Sequence, residues 1–448
     1  MTIQSGLEAA SPVPDTEAHE LLEPEIERAP RDKIEAGQEA AVLDLVRYAW
    51  DNSPLYRELW AAAGVTPDDI TSIEDFTTKI PTLSKADIIA YRERTGDPYG
   101  GLLCVPATEL TSLTTTSGTT SAPEPLPEIW TQAPPLPAAS TRDLYGHGLR
   151  PGDRVLVPVG SFRNYWDDFY QALGCTPVFA DSWLGQGEGL LRAIKKHKVA
   201  YLQTHLPAIM EFERLEDKYD LRDYFSSVKF FSYAGMPMGE ALRRKVTEEW
   251  GVKVVTYTSA GDTGTAWEGP GFDGYQLWED TMFPEVVDPV TDAPTPEGEI
   301  GELIATDLDN RAAPYIRFRS GDLVRVSREP DPVGRTHTRM WVLGRQGDET
   351  MIDGKAILVN DVWRIVEAEP ELSDGMFQII RSSGPMTRLR LRIGYAPERT
   401  TDVGDVESRV VAALEAGLGV GVDAAMMTTE DILQYSSSVA KFPRTVKE

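Results

Sequence analysis

The chain has 448 residues, 41% apolar and 26% charged, which is material for a substantial core and excludes general disorder. Its 71 acidic and 44 basic side chains leave a formal charge of −27, which argues against nucleic acid as a partner, because a phosphate backbone needs a positive footprint. No apolar run approaches the roughly 20 residues of a membrane span, no basic-then-apolar leader opens the chain, and two cysteines, Cys104 and Cys175, are too few for a disulfide framework, so a cytoplasmic protein of two or three domains with no membrane partner is expected.

The opening residues are rich in Pro, Glu and Asp and lack periodicity, which predicts a flexible or irregular arm over residues 1–40. Val42, Leu45, Val46, Ala49 and Trp50 then recur at three- and four-residue intervals, one face of a helix that Asn52, Ser53 and Pro54 bring to a stop. Short apolar strands alternate with helical stretches after that. Strands are predicted at 154–159, 177–180, 199–202, 228–233 and 252–256, with helices at 166–173, 189–196, 208–215 and 240–250 between them. This rhythm is α/β, with strands covered by helices on both faces. Beyond Pro270 the texture turns strand-rich, with strands predicted at 283–290, 299–305 and 340–343. The last hundred or so residues predict helices at 358–368 and 406–418 and strands at 377–380 and 388–393, a small mixed unit joined near residue 347.

The clearest local signal is residues 114–121, which read TTTSGTTS. A glycine in a row of hydroxyls lets the backbone approach a ligand, while amides and hydroxyls donate to phosphate oxygens. The glycine spacing and the Gly-Lys-Ser/Thr ending of a Walker loop are missing. Alone, such a row is more often an ordinary loop than a phosphate site.

Six stretches follow in order: TTTSGTTSAP from Thr114, FSYAGMP from Phe231, YTSAGDTG from Tyr257, YIRFRSGDLVRV from Tyr315, VLGRQGDETMIDG from Val342 and AKFPR from Ala440. NSPLYRELWAAAGVTPDDI from Asn52, LWEDTMFPEVVDP from Leu277 and EGEIGELIATDL from Glu297 stand among them. Order and spacing resemble the adenylate-forming superfamily of acyl-CoA synthetases, in its phenylacetate-CoA ligase branch. The resemblance implies a large N-terminal region of layered sheets and helices, here 41–346, and a small mobile α+β C-terminal lid, here 347–448. Together they would enclose ATP with Mg²⁺ and a small-molecule carboxylic acid. An acyl-adenylate would form, and CoA would then take the acyl group. A carrier-protein thiol or an amine as acceptor, and a noncatalytic binder on the same fold, are the alternatives; a homodimer is a further family expectation.

The resemblance also implies roles. Asp322 would accept hydrogen bonds from the ribose hydroxyls, suiting a carboxylate, which only accepts. Arg345 would contact ribose or phosphate, and Lys441, with Arg444 at the family spacing, would neutralise charge at the reacting carboxylate and α-phosphate. Thr115, Thr116, Ser117, Gly118, Thr119 and Thr120 make the phosphate loop, with Thr116 joining Lys441 and Arg345 in the catalytic set. Ala234, Gly235, Met236 and Pro237 would lie along adenine. Tyr257 would sit near the purine and acyl ends, and Thr258 and Ser259 would supplement phosphate contacts. For the acid, Phe162, Tyr165 and Trp166 offer a flat apolar enclosure, joined by Tyr233 and Ser259. Arg163 would read a polar substituent or else make an ordinary surface ion pair. His205 would approach the same cavity or be a satisfied structural histidine.

Four positions depart from the family pattern. The loop continues Ser121-Ala122-Pro123 where Gly-Lys-Pro is usual, which removes a positive charge near the phosphates. Gly261 stands where a Mg²⁺-binding Glu is expected, leaving neighbouring Asp262 as the candidate ligand. Gly347 replaces the hinge acid, and Ala440 replaces the glycine before Lys441. Two cysteines and five scattered histidines specify no structural zinc site.

Overall fold

The computed structural model describes residues 20–110, 112–115, 127–130, 138–159, 166–181, 185–235, 238–261, 263–372, 375–382, 384–435 and 442–447. A hairpin pairs β1 (Ser112–Thr115) with β2 (Pro127–Trp130). Eleven strands make the main sheet: β3 (Arg154–Val159), β4 (Thr176–Asp181), β5 (Val199–Thr204), β6 (Phe230–Tyr233), β7 (Lys253–Ser259), β8 (Thr265–Glu268), β9 (Tyr275–Gln276), β10 (Met282–Val287), β11 (Gly301–Asp307), β12 (Phe318–Ser327) and β13 (Arg339–Arg345). Their spatial order is β10-β11-β12-β13-β9-β8-β7-β6-β5-β3-β4. β4, β3, β5, β6 and β7 are parallel, and from β7 to β10 every pairing is antiparallel.

The parallel half follows the α/β rhythm of the sequence. Every residue of β5 is buried, as expected of a strand covered on both faces. On one face, helices Gly187–His197 and Leu206–Glu213 bring Leu190, Leu191, Ile194, Ile209 and Phe212 onto Leu202 and Phe231. On the other, Leu144, Phe169 and Tyr170 pack on Val155, Tyr201, Phe230 and Val255. The helix expected over 240–250 divides into an α-helical turn, Glu240–Arg244, and a π-helical one, Lys245–Glu249. The strand expected to reach 290 stops at Val287, because Asp288 accepts the backbone N–H groups of Val290 and Thr291 at 3.0 and 2.8 Å and turns the chain.

The irregular arm expected to residue 40 is corrected from residue 24 onward. Helices span Pro24–Glu27 and Arg31–Asn52, and this opening is sewn to the body by charge. Glu27 pairs with Arg335 at 3.0 Å, both fully buried. Arg142, also buried, takes Glu23 at 2.6 Å and Asp280 at 2.7 Å. Arg31 grips Glu279 through two bonds of 2.8 Å. The acids that made this stretch look solvated are the ones that bind it.

Residues 352–422 carry a hydrophobic core of their own. β14 (Thr350–Ile352) pairs with β15 (Lys355–Ile357), and β16 (Phe377–Arg381), β17 (Arg388–Tyr395), β18 (Gly421–Thr428) and β19 (Thr445–Lys447) form a sheet ordered β18-β17-β16-β19. Helices Val359–Glu367 and Val403–Leu418 supply Val362, Val366, Val406, Val410 and Leu414 to it. No helix among the described residues is long and apolar enough to cross a membrane.

Asp307, at the end of β11, carries a pH dependence. Its carboxylate accepts the N–H groups of Asp309 and Asn310 at 3.0 and 2.9 Å, and burial pushes its pKa up to about 7. A folded-state pKa above the unfolded one favours folding when protonated, so this contribution is present below about pH 4 and is lost as pH rises through about 7. Thermal melts at pH 5 and pH 8 are expected to differ less for Asp307→Asn than for the parent; an unchanged difference would refute the assignment.

Candidate active site

In a parallel sheet, ligands bind beyond the carboxyl ends of the strands. There β5, β6 and β7 deliver Thr204 and His205, then Ala234 and Gly235, then Tyr257, Thr258 and Ser259. Gly235 has φ +94°, a conformation that glycine adopts without a Cβ penalty, and both it and Ala234 are partly accessible. Met236 and Pro237 lie outside the described residues, as do Thr116, Ser117, Gly118, Thr119, Thr120, Phe162, Arg163, Tyr165, Asp262 and Lys441. Thr115 ends β1 and Trp166 begins helix Trp166–Ala172; only their backbones are described.

Asp322 and Arg345 face each other across β12 and β13, with Arg345 Nε donating to Asp322 Oδ1 at 2.8 Å. Gly321, at φ +76°, makes the local turn, and Ser320 Oγ accepts the Asp322 N–H at 3.0 Å. The pair stands next to the β7 segment: a Cβ built on Gly261 would lie 3.8 Å from the Ser320 Cβ. Two of the expected nucleotide residues are therefore joined to each other and adjoin the Gly261 turn, where a Mg²⁺-binding acid was expected.

That turn has no room for the acid. Gly261 has φ +63°, and an added Cβ would stand 2.7 Å from the Ala305 Cβ. No cluster of three or more His, Cys, Asp or Glu suited to a metal occurs among the described residues. Gly347 also takes a left-handed conformation, φ +80°, and Arg381 of the small unit donates to its carbonyl at 2.8 Å. A glycine fits both departures from the family pattern on conformational grounds.

The Tyr257 ring lies on Trp267, with centroids 4.4 Å apart and planes at 18°, and its hydroxyl accepts from Gln203 Nε2 at 2.5 Å. Tyr201 bonds Ser232 Oγ at 2.7 Å and accepts from Tyr170 at 3.3 Å. Strand alternation puts Tyr201, Gln203, Ser232 and Tyr257 on one face of the sheet, toward helix Trp166–Ala172. Tyr233 does not join them. One residue past Ser232, it points to the opposite face, buried with Phe231, Leu242 and Phe442. Burial raises its hydroxyl pKa, and Arg444 opposes that shift. Tyr233 and Tyr257, both expected near the acid, thus lie on opposite faces of the sheet, and Gln203, Ser232 and Tyr201, not singled out in the sequence, share the face of Tyr257. Alternation counted back from Tyr257 and across to β5 was the signal available. Ser259 is exposed and Thr258 partly so. His205 sits at the N-terminus of helix Leu206–Glu213, and burial lowers its pKa, keeping the imidazole neutral near pH 7.

No protein-family model matches the chain. The chain is 28% identical over 399 residues to a phenylacetate-coenzyme A ligase of Thermus thermophilus, covering 86% of each protein. It is 29% identical over 394 residues to one of Aromatoleum evansii, covering 84% of this chain and 85% of that one. Among solved structures, 2-hydroxyisobutyryl-CoA ligase in its postadenylation state matches with a TM-score of 0.80 at 23% identity, over 95% of this chain and 92% of that one. The same ligase in its thioesterification state matches with a TM-score of 0.66 at 23% identity and the same coverage.

Proposed function

We propose that this chain, a phenylacetate-CoA ligase-like member of the adenylate-forming superfamily, joins an aromatic or aryl-like carboxylic acid to CoA by way of an acyl-adenylate. The observation that supports it best is the Asp322–Arg345 pair, held beside the Gly261 turn at the edge of the parallel half of the sheet. A carboxylate anchored by a guanidinium keeps its remaining lone pairs for a ribose diol.

In the first step a carboxylate oxygen of the acid attacks the α-phosphorus of ATP, and the bond to pyrophosphate breaks. In the second the CoA sulfur attacks the acyl carbon, the thiol proton is lost, and the acyl–oxygen bond breaks with AMP as leaving group. Asp322 orients the nucleotide through its ribose, and Gly235 admits the adenine edge to the backbone. Lys441 places positive charge where the α-phosphate and carboxylate meet. Tyr257, braced by Trp267 and Gln203, forms the wall between nucleotide and acid. Mg²⁺, arriving on the triphosphate, would neutralise phosphate charge. Position 261 fits a carboxylate ligand for it poorly, which leaves the neighbouring Asp262 as the candidate to hold it. A cytoplasmic location belongs to the same reading, with residues 347–448 as the catalytic lid.

Mass-resolved product analysis with ATP, Mg²⁺ and a pooled panel of aryl acids, with and without CoA, tests this. Acid-dependent AMP ester that becomes acyl-CoA is the expected result. Adenylate without thioester would move the acceptor to an amine or a carrier-protein thiol. No nucleotide product, where a control ligase works, would refute the activity.

A further inference from the structure

Among the described residues the small unit meets the large one at several places, three of them away from the junction. Met376, Ile432 and Phe442 enter the core built around Leu242 and Val246. Arg399 pairs with Glu213 at 3.3 Å, a carboxylate that Lys245 also holds at 3.0 Å. The third contact is Glu367, at the end of helix Val359–Glu367. Its side chain is buried against the turn that follows the adenine segment, and Oε1 accepts the backbone N–H of Glu240 at 3.2 Å. Its Oε2 is buried beside Gly239 and the Trp363 indole, and burial raises the pKa of this carboxyl while the Glu240 N–H and Trp363 oppose that shift.

Gly239 admits this carboxylate. A Cβ there would collide with Glu367 Oε2 and stand 2.9 Å from Trp363 Nε1. Trp363 and Glu367 are four residues apart and share one helical face. The Arg444 guanidinium lies 3.8 Å from the centre of the Trp363 ring and donates to the carbonyls of Gly375 and Phe377. One face of one helix therefore touches both the turn behind Ala234 and Gly235 and the segment that leads out of Lys441.

We propose that Glu367 is a positioning residue for adenylation, a latch that fixes the Lys441 segment relative to the adenine segment through Glu240 and Gly239. The inference rests on the adenylating function proposed above. Docking takes the carboxyl out of water at a desolvation cost that its hydrogen bonds only partly offset, so the latch holds the lid without trapping it. Release of this contact frees the small unit for the transfer step.

Two readouts on the full chain test it. The first needs no turnover: spin labels on Lys196→Cys and Ser408→Cys, exposed positions on the large and small units, report the distance between them, with native Cys104 and Cys175 buried. One dominant distance is expected for the otherwise wild-type chain, and a second population for Glu367→Ala and for Gly239→Ala. The double variant should add nothing to either single change, and Glu367→Gln, whose carbonyl still accepts the Glu240 N–H, should keep the parent distance. The second readout uses phenylacetate as probe acid. Pyrophosphate–ATP exchange is expected to fall about 10- to 100-fold in Glu367→Ala, while transfer from synthetic phenylacetyl-AMP to CoA stays within about twofold. A parent-like distance distribution in Glu367→Ala, or equal slowing of both half-reactions, overturns the latch. Absence of exchange in the parent with any acid would refute the enzymatic reading instead, and the distance measurement would still decide whether Glu367 holds the lid.

Discussion

Replacing Lys441 by alanine is expected to slow adenylate formation by about 10²- to 10³-fold while ATP still binds, the scale seen when one preorganised charge is removed from a transition state. The neighbours of Lys441 supply the argument. Phe442 is buried in the core of the large unit, and Arg444 is stacked on Trp363 and bonded to two carbonyls of the small one. A lysine one residue before such an anchor would lose little further freedom on reaching the reacting phosphate, so in the proposed mechanism its charge would act on the reaction rather than on folding. Pyrophosphate release and equilibrium ATP binding measured on the same preparation separate the two effects. Near-normal pyrophosphate release from Lys441→Ala would remove this residue from the mechanism.

The second large effect concerns Gly261. Introducing the acid that the sequence resemblance leads one to expect here, by Gly261→Glu, is expected to destabilise the protein rather than improve it. A left-handed backbone costs a residue with a Cβ about 1–2 kcal/mol, and overpacking against Ala305 adds about 1–3 kcal/mol. The melting temperature should fall by about 2–5 °C. Ala305→Gly in the same chain opens the space and should recover part of that loss. A Gly261→Glu variant that melts like its parent and gains Mg²⁺-dependent exchange would show the turn to be adaptable and the glycine incidental.

The parallel half of the sheet was legible in the sequence because its strands are short, apolar on both faces and separated by helices with their own period, as with 154–159, 199–204 and 230–233. Asp322 and Arg345 were legible as a motif, although 22 residues separate them in the chain; that they pair required the register of β12 on β13. Tyr233 and Ser232 illustrate the opposite case. Adjacent residues on a strand serve opposite faces, and a motif spelled along the chain does not say which of the two meets the ligand. The opening arm misled for a different reason. Composition reports how many charges a segment has, whereas burial depends on whether an arginine several hundred residues away is aimed at them.

That last pairing bears on how the protein is made. Glu27 leaves the ribosome 308 residues before Arg335, an interval of roughly 15–60 s at ordinary translation rates. Throughout it Glu27 lacks the partner that neutralises it in the fold, and Glu23 waits likewise, for a shorter time, for Arg142. The start of the chain is thus among the last parts to be fastened, closing over a body already formed, and a nascent chain released early carries an unsatisfied row of acids that distinguishes it from the finished protein.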